Sequence, residues 1–197
     1  HEVAHPKLKN ILKPISEILA GVPSVIYGFF GLVVFVPWVK STFGLPVGET
    51  AFTAGIILGI MVLPIIISVS EDAMRSVPKK YKSASLALGS TRWQTMTKVV
   101  IPSAAPGISS SIILAFGRAI GETIAVMMVV GGSPVMPLTI FKPVRPMPAT
   151  IAGEMGEIAY GSTHFHALFA IGIILLTTTF VTNYVAKKIM TKGVVEE

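Results

Sequence analysis

Two residues of opposite charge, Arg118 and Glu122, lie four positions apart in the apolar segment FGRAIGETIAV. They are the only charged residues between Val99 and Ile140. An arginine guanidinium donates two parallel hydrogen bonds to an oxyanion and keeps its charge at every relevant pH. A charge at bilayer depth costs at least about 2.5–3.5 kcal/mol, so both side chains should point into protein or water. Either Arg118 binds an anion on a transport path, with Glu122 positioning or neutralising it between turnovers, or the two residues form a structural pair that joins helices.

The spacing of this pair predicts one helix face lined by small and polar residues. The residues predicted to share that face are Ser111, Ala115, Arg118, Glu122 and Ala125. Gly117 and Gly121 form a GxxxG pair beside it, a motif that lets helix backbones approach closely. A long helix is therefore needed to position the two charges.

The composition indicates a membrane protein. Of the 197 residues, 52% are hydrophobic and 13% are charged, whereas a soluble domain carries about 25% charged residues. Four stretches are apolar over the roughly 20 residues that a transmembrane helix needs, and none alternates with the period of a strand. They are 18–39, 50–70, 107–130 and 167–186. The sequence predicts an all-α fold, a polytopic membrane helical bundle formed by a single domain, 1–197.

The positions of lysine and arginine predict the orientation of the chain. Twelve of the 16 precede the first stretch, lie between the second and third, or follow the fourth. Four spans place these three segments on one side, which the positive-inside rule makes cytoplasmic. We therefore expect a multi-pass protein of the plasma (inner) membrane whose 71–103 loop and C-terminus are cytoplasmic. The net charge of +6 then reflects orientation and contact with membrane lipid, and no nucleic acid is expected as a partner.

Prolines and glycines inside the spans argue against a plain structural anchor. Pro23, Gly28 and Gly31 fall in the first stretch, and Pro64 falls in the second. Transporters and channels use such residues where helices bend or pack closely. This pattern favours a transport function.

The longest polar stretch, 71–103, predicts a short helix–turn–helix. Four residues recur at helical spacing: Tyr81, Ala84, Ala87 and Leu88. Gly89 is expected to end this helix, Thr91 to cap a second helix and Pro102 to end that second helix. The segment is either a solvated loop lying on lipid headgroups or a docking element whose apolar face fits the groove of a cytoplasmic partner.

This loop resembles the EAA loop of bacterial ABC-importer permeases, whose pattern is E-A-A-x-x-x-G, nine residues, then I-x-L-P. Here it reads SASLALG from Ser83 to Gly89 and, after nine residues, VVIP ending at Pro102. Ser83 replaces the family glutamate and Ser85 the second alanine, so an ion pair made by that glutamate at the ATPase surface cannot be transferred to Ser83. The resemblance implies that the following residues couple the chain to an ATPase: Ser83, Ala84, Ala87, Leu88 and Gly89.

Further segments are similar to permeases of the phosphate-specific (PstC) type, namely EILAGVPSVIYGFFGL, GRAIGETIAV and HALFAIGIILLTTTFVTNYVAKK. The resemblance covers nearly the whole chain and implies a permease subunit that forms half of the pathway for inorganic phosphate, with Arg118 and Glu122 on it. It also implies three partners: a homologous second permease subunit, a cytoplasmic ATPase dimer and an extracytoplasmic phosphate-binding protein. The first spans of a six-helix permease have no counterpart here, so we expect a piece of a longer protein.

No cofactor is expected in this chain. It has no G-x-x-x-x-G-K-[ST] motif to cradle the phosphates of ATP, so ATP and Mg²⁺ are expected on the partner ATPase. The chain has no cysteine. His164 and His166 lie within about a dozen residues of Glu154 and Glu157, but their spacing is not a known ligand pattern, so no metal site is expected.

Two other functions stay open at this point. A permease for another tetrahedral oxyanion, such as sulfate or molybdate, would use the same arginine. A membrane-embedded enzyme that modifies a lipid would use Glu122 with His164 and His166. The ionisable groups are sparse, however, and they lack a nucleophile–base arrangement.

Overall fold

The computed structural model describes residues 6–195, and the side chains of residues 14–188. Within this part of the chain there are eight helices and no strand, so the predicted all-α fold is confirmed. The helices are α1 (Pro6–Gly21), α2 (Ser24–Phe43), α3 (Ala51–Ser76), α4 (Lys79–Ala87), α5 (Arg92–Gly121), α6 (Ile124–Val129), α7 (Met147–Glu154) and α8 (Thr163–Val195). Four basic side chains that contribute to the predicted orientation lie outside the described set: Lys7, Lys9, Lys13 and Lys192.

Four of these helices are long and apolar enough to cross a membrane: α2, α3, α5 and the Thr163–Lys188 part of α8. The predicted number of spans is therefore confirmed, although their bounds differ. α3 extends six residues beyond the predicted span 50–70, and α8 begins before and continues after the predicted span 167–186. These three extensions contain polar residues, so hydropathy alone does not identify them as helical.

The first predicted span, 18–39, begins later because the chain breaks at Pro23. The backbone of this proline is extended, with φ −56° and ψ 139°, and α2 begins at Ser24. A proline ring disfavours the helical conformation of the residue before it, which explains why α1 stops there. α2 ends at Phe43, where Gly44 adopts a φ of 61°, the left-handed conformation that often ends a helix.

A π-helical turn precedes a proline in both α2 and α5. In α2 the turn covers Gly31–Phe35 and precedes Pro37, and in α5 it covers Met96–Val100 and precedes Pro102. In each case the residue before the proline donates its N–H to the carbonyl five positions back. A proline ring clashes with the carbonyl four residues back in an α-helix, and the wider turn makes room for it. The expectation that Pro102 ends a helix is therefore wrong, since α5 continues through it.

The third predicted span, 107–130, is interrupted at its far end. α5 ends at Gly121, and Glu122 and Thr123 are not helical. The short helix α6 then carries the remaining apolar residues. Arg118 thus lies in α5 and Glu122 lies in the break that follows it, where the sequence predicted a continuous helix.

The chain forms two compact units. Unit A comprises Val22–Met61 and Gly117–Thr182, and its core joins α2, the first half of α3 and α6. A Cβ atom at Gly28 would lie 2.8 Å from the Cα atom of Ala125, so α2 and α6 touch through their backbones. The buried residues of this core are Tyr27, Val36, Ala54, Ile57, Met61, Ala125, Val126, Val129 and Val130.

Unit B comprises Val62–Phe116 with the residues up to Gly21 and those from Asn183 onwards. Its core contains Val77, Val100 and Ala104. A Cβ atom at Gly107 would clash with Ala73, and the hydroxyl oxygens of Ser70 and Ser111 lie 2.9 Å apart. These contacts pack α3 against α5 and so fix the base of the loop between them.

The predicted GxxxG contacts differ from the observed ones. Among the described residues, no atom lies within 4 Å of a Cβ built at Gly55, Gly59 or Gly121. The close backbone approaches occur instead at glycines outside these pairs, Gly28 and Gly107. Two glycines four apart permit a close approach but do not specify which helix makes it.

Candidate functional site

Arg118 lies in the last turn of α5, and its side chain is exposed. Nearby residues of the same helix are exposed and apolar, with Leu114 58% and Phe116 59% exposed. The buried residue Tyr27 of α2 is close enough to interact electrostatically with the Arg118 guanidinium. Among the side chains of residues 14–188, this guanidinium forms no ion pair and no hydrogen bond. Arg118 thus presents the only charged donor group in the part of α5 from Val99 to Gly121.

Glu122 lies at the helix break and contacts the start of α6. Its Oε1 atom accepts a hydrogen bond from the backbone N–H of Ala125, at 3.2 Å. Its own backbone N–H donates to the carbonyl of Ala119, at 3.4 Å. A carboxylate at a helix N-terminus satisfies an unpaired N–H group and interacts favourably with the helix dipole. Glu122 therefore has a local structural role as a cap of α6.

The predicted helix face shared by the two charges is not formed. Since α5 stops at Gly121, the helical periodicity that would align Glu122 with Arg118 ends there. Ser111, also expected on this face, is buried, whereas Arg118 is exposed. Within the described side chains, Arg118 and Glu122 form no ion pair. The role of both residues on a substrate path stays a prediction.

The predicted helix–turn–helix is present as α4 and the start of α5. Residues 77–100 are called the loop between α3 and α5 below. Gly89 follows α4 with a φ of 84°, in the left-handed region that favours glycine. The Thr91 hydroxyl accepts a hydrogen bond from the Gln94 N–H at 3.2 Å, and the Gln94 side chain accepts one from the Thr91 N–H at 2.8 Å. This capping box starts α5 at Arg92, as expected from Thr91.

The two serines that depart from the EAA pattern make different contacts. The Ser83 hydroxyl is exposed and donates to backbone carbonyls of its own helix, those of Lys79 and Lys80, both at 3.1 Å. The Ser85 hydroxyl is buried and lies 3.0 Å from that of Thr95. Ser85 thus joins α4 to α5. The sequence identified this position only as a departure from the pattern.

The other residues predicted to couple the chain to an ATPase are all exposed: Ala84, Ala87, Leu88 and Gly89. Leu88 is 88% exposed, which is unusual for a leucine in a structured loop. The exposed apolar side chains of Leu86 and Trp93 belong to the same loop. Exposed apolar side chains in a polar segment are a common feature of contact surfaces.

A polar cluster that the sequence did not predict joins α7 and α8. Arg145 Nη1 contacts Glu154 Oε1, and Glu154 Oε2 lies 2.8 Å from His164 Nε2. Arg145 Nε also donates to the carbonyl of Gly132, at 2.8 Å. The only sequence signal was the proximity of Glu154 and His164 along the chain, considered as a metal site. Among the described residues, no group of three His, Cys, Asp or Glu side chains could hold a metal ion.

Known proteins similar to this chain are membrane permeases. The "Probable ABC transporter permease protein YqgH" of Bacillus subtilis is 40% identical over 179 residues, which are 91% of this chain and 58% of that protein. The "Phosphate transport system permease protein PstC" of Mesorhizobium japonicum is 36% identical over 87% of this chain and 58% of its own length. A "Probable phosphate transport system permease protein PstC" of Methanocaldococcus jannaschii is 35% identical over 94% of this chain and 64% of its own length. The chain thus spans less than two thirds of the length of these relatives.

Solved structures show the same fold. An inward-facing structure of the "MetNI methionine ABC transporter" superposes with a TM-score of 0.72, covering 97% of this chain and 78% of that one at 21% sequence identity. A second crystal form gives a TM-score of 0.70. The arrangement of helices described above is therefore that of an ABC-transporter permease.

The membrane-enzyme alternative finds no support in these results. His164 contacts Glu154 and not Glu122, and the named relatives are transport permeases. Residues 3–191 match the family described as "Binding-protein-dependent transport system inner membrane component". On this match, the four apolar helices and the shared fold, the chain belongs to that family of ABC-transporter permeases, multi-pass proteins of the inner membrane.

Proposed function

We propose that this chain is the permease subunit of an ATP-driven importer and forms half of the pathway for inorganic phosphate across the plasma membrane. The observation that carries the proposal is Arg118, an exposed guanidinium at the end of an apolar span that has no carboxylate partner among the described side chains. Such a charge in a membrane is retained where it has a function. Relatives named as phosphate permeases, 35–36% identical over most of this chain, support phosphate as the anion.

The capping role of Glu122 fits this proposal. Its Oε1 atom accepts a hydrogen bond from the backbone of α6. The carboxylate therefore does not neutralise Arg118, four residues before it, by direct contact. The planar fork of Arg118 can then donate two hydrogen bonds to phosphate oxygens. A single arginine does not balance a dianion, so the second permease subunit contributes further cationic groups to the path.

The proposal includes an orientation and a set of partners. The loop between α3 and α5 carries five of the 16 basic residues and is placed on the cytoplasmic side by the positive-inside rule. There its exposed residues couple the permease to a cytoplasmic ATPase dimer, which binds ATP and Mg²⁺; they are Ser83, Ala84, Ala87, Leu88 and Gly89. A homologous second permease subunit completes the path, and an extracytoplasmic binding protein delivers phosphate to it.

One observation favours a second candidate, a permease for another tetrahedral oxyanion. The relative with 40% identity is named as an ABC transporter permease without a substrate, and an arginine fork suits sulfate or molybdate as well as phosphate. Uptake of radiolabelled phosphate in the presence of excess unlabelled sulfate, molybdate or phosphate separates the two. Phosphate alone should compete, whereas competition by sulfate or molybdate would favour the second candidate.

The test of Arg118 uses the full-length permease assembled with its second permease and ATPase. Hydrogen bonds to charged groups contribute about 1.5–3 kcal/mol each, so losing two of them in Arg118→Gln should reduce phosphate uptake by about 100-fold or more. Arg118→Lys keeps the charge but not the fork and should retain part of the uptake. Lys40→Gln removes an exposed cation at the end of α2 and serves as the control. Normal uptake by an assembled Arg118→Gln transporter would reject the path-lining role.

A further inference from the structure

The loop between α3 and α5 contains a cavity of about 110 Å³ between α4 and the start of α5. Its lining residues are Lys82, Leu86, Arg92, Thr95, Met96 and Val100. The cavity has two cationic side chains and a largely apolar floor. It has room for more than one water-sized group, and so for the end of a side chain from another molecule.

The charge of this loop has one sign only. Between Val77 and Val100 there are five basic residues and no acidic one: Lys79, Lys80, Lys82, Arg92 and Lys98. The position where the EAA pattern has a glutamate is Ser83, whose hydroxyl bonds carbonyls of its own helix. The loop therefore offers a protein partner no carboxylate, and only cations accompany its exposed apolar side chains Leu88 and Trp93.

The cavity is held in shape by contacts within the loop. The Ser85–Thr95 hydroxyl pair joins its two helices, and the capping box of Thr91 and Gln94 fixes the start of α5. Gly89 makes the turn between the two helices. A surface that is ordered before binding loses little conformational entropy on contact, so it suits recognition of a partner with a defined shape.

The loop and its cavity follow a polar helical turn at the end of α3. The last six residues of α3, Glu71–Ser76, are helical but follow the apolar run. At about 1.5 Å per residue they carry the loop roughly 9 Å along the helix axis beyond the apolar run. Met96 and Val100, which line the cavity, belong to one apolar cluster with Ala73, Met74 and Val77, so the cavity lies beside this polar turn and past the apolar run.

We infer that this cavity receives an acidic side chain of the ATPase, whose carboxylate lies between Lys82 and Arg92 while neighbouring apolar residues of the ATPase cover Leu86 and Leu88. The inference rests on the proposed function and adds the chemistry of the partner surface. The ionic contact has the opposite polarity to one made by a permease glutamate. The ATPase of this transporter must then present an acidic rim, which selects it against ATPases whose groove offers cations.

The test measures how much ATPase stays bound to the affinity-purified, full-length transporter at increasing NaCl concentration. Lys82→Glu and Arg92→Glu reverse the charge at the cavity, and close charge pairs across interfaces have coupling energies that justify an expected loss of ATPase of about tenfold or more. Arg92→Lys should retain most of the ATPase. Lys98→Glu is the matched control, since Lys98 is exposed in the same loop but does not line the cavity, and it should leave retention within about twofold because exposed ion pairs are weak.

The salt dependence and the site of contact supply independent readouts. Wild-type retention should fall as salt rises, and this dependence should be reduced in Arg92→Glu. Because these 197 residues contain no cysteine, Leu86→Cys introduces a single thiol among them for cross-linking, and the ATPase segment it captures should contain Asp or Glu.

Three outcomes overturn the inference. The first is unchanged ATPase retention in both Lys82→Glu and Arg92→Glu, and the second is a captured segment without acidic residues. The third is that these two variants lose binding to anionic phosphatidylserine vesicles but keep the ATPase, which would assign the cavity to lipid headgroups. A wild-type transporter that retains no ATPase would instead reject the proposed function itself. Retention is measured without phosphate, so a different transported anion leaves this test intact.

Discussion

The hydroxyl groups of Ser85 and Thr95 lie 3.0 Å apart in the interior of the loop between α3 and α5. Both side chains are buried, with exposures of 9% and 5%, and they come from the two helices of the loop. A buried hydroxyl needs a partner, because leaving it unsatisfied is destabilising. This pair therefore holds α4 against the start of α5.

The Ser85–Thr95 pair predicts a non-additive mutational effect. Thr95→Val keeps the shape of the side chain but leaves the Ser85 hydroxyl without its partner, which should lower the free energy of unfolding by about 1–3 kcal/mol. The double variant Ser85→Ala with Thr95→Val should recover much of that loss. Thermal unfolding of the purified transporter measures the stability, and ATP hydrolysis stimulated by substrate measures the coupling. Ser83→Ala is the control, since that hydroxyl bonds only its own helix, and purely additive losses would contradict the pairing.

Glu122 should stabilise the protein through its hydrogen bond to α6 and not through its negative charge. Glu122→Gln keeps an oxygen that can accept the hydrogen bond of Ala125, so the transporter should keep its stability and most of its phosphate uptake. Glu122→Ala removes the cap, which should cost about 0.5–2 kcal/mol of stability. Thermal unfolding and uptake are measured on the same preparations. Loss of uptake in a fully stable Glu122→Gln variant would show that the carboxylate charge takes part in transport.

The close approach of α2 to α6 at Gly28 predicts that a side chain added there is destabilising. A Cβ atom there would lie 2.8 Å from both the Cα atom of Ala125 and the Sδ atom of Met128, so Gly28→Ala should destabilise by about 1–3 kcal/mol. Gly55→Ala is the matched helical control, because no described atom lies within 4 Å of a Cβ at Gly55. That change should be neutral or stabilise by up to about 1 kcal/mol. Equal melting temperatures for the two variants would contradict the observed packing.

The contacts of Glu154 are expected to restrain the segment before α7. Its carboxylate contacts both Arg145 and His164, so Glu154→Ala removes two contacts and should increase cleavage between 133 and 145 by an added protease. Glu157→Ala removes an exposed carboxylate from the same region and should leave the cleavage rate unchanged. The rate is followed by gel electrophoresis of the purified transporter. Equal rates for both variants would show that the cluster does not restrain the segment.

Much of the fold could be predicted from hydropathy and from local chain stiffness. Four apolar stretches predicted four spans, Gly89 predicted the end of α4 and Thr91 predicted the start of α5. These features depend on interactions within a few residues, which a single sequence contains. The ends of the spans were less accurate, because polar turns such as Glu71–Ser76 continue a helix without any change in local propensity.

The remaining differences come from interactions between distant segments or from backbone geometry. Whether Pro102 ends a helix depends on a wider turn before it, which has no residue signature. After the helix break at Gly121, the Glu122 carboxylate accepts a hydrogen bond from the backbone of Ala125 and, among the described side chains, forms no ion pair with Arg118. The contacts of Ser85 and of Arg145 join residues ten and nine positions apart, and they could not be read from helical or strand periodicity.

The π turn in α5 also affects how a residue can be added to or removed from that helix. A turn closed by bonds five residues apart holds one residue more than an α-helical turn, so it amounts to a one-residue insertion in Met96–Val100. Deleting one of these residues would restore regular α-helical winding, and the helix on either side would keep its phase because the wider turn absorbs its extra residue. Thr95 would still face Ser85, but the Pro102 ring would lose the space that the wider turn gives it. The single extra residue thus lets a proline stand inside α5 without turning the loop away from the rest of that helix.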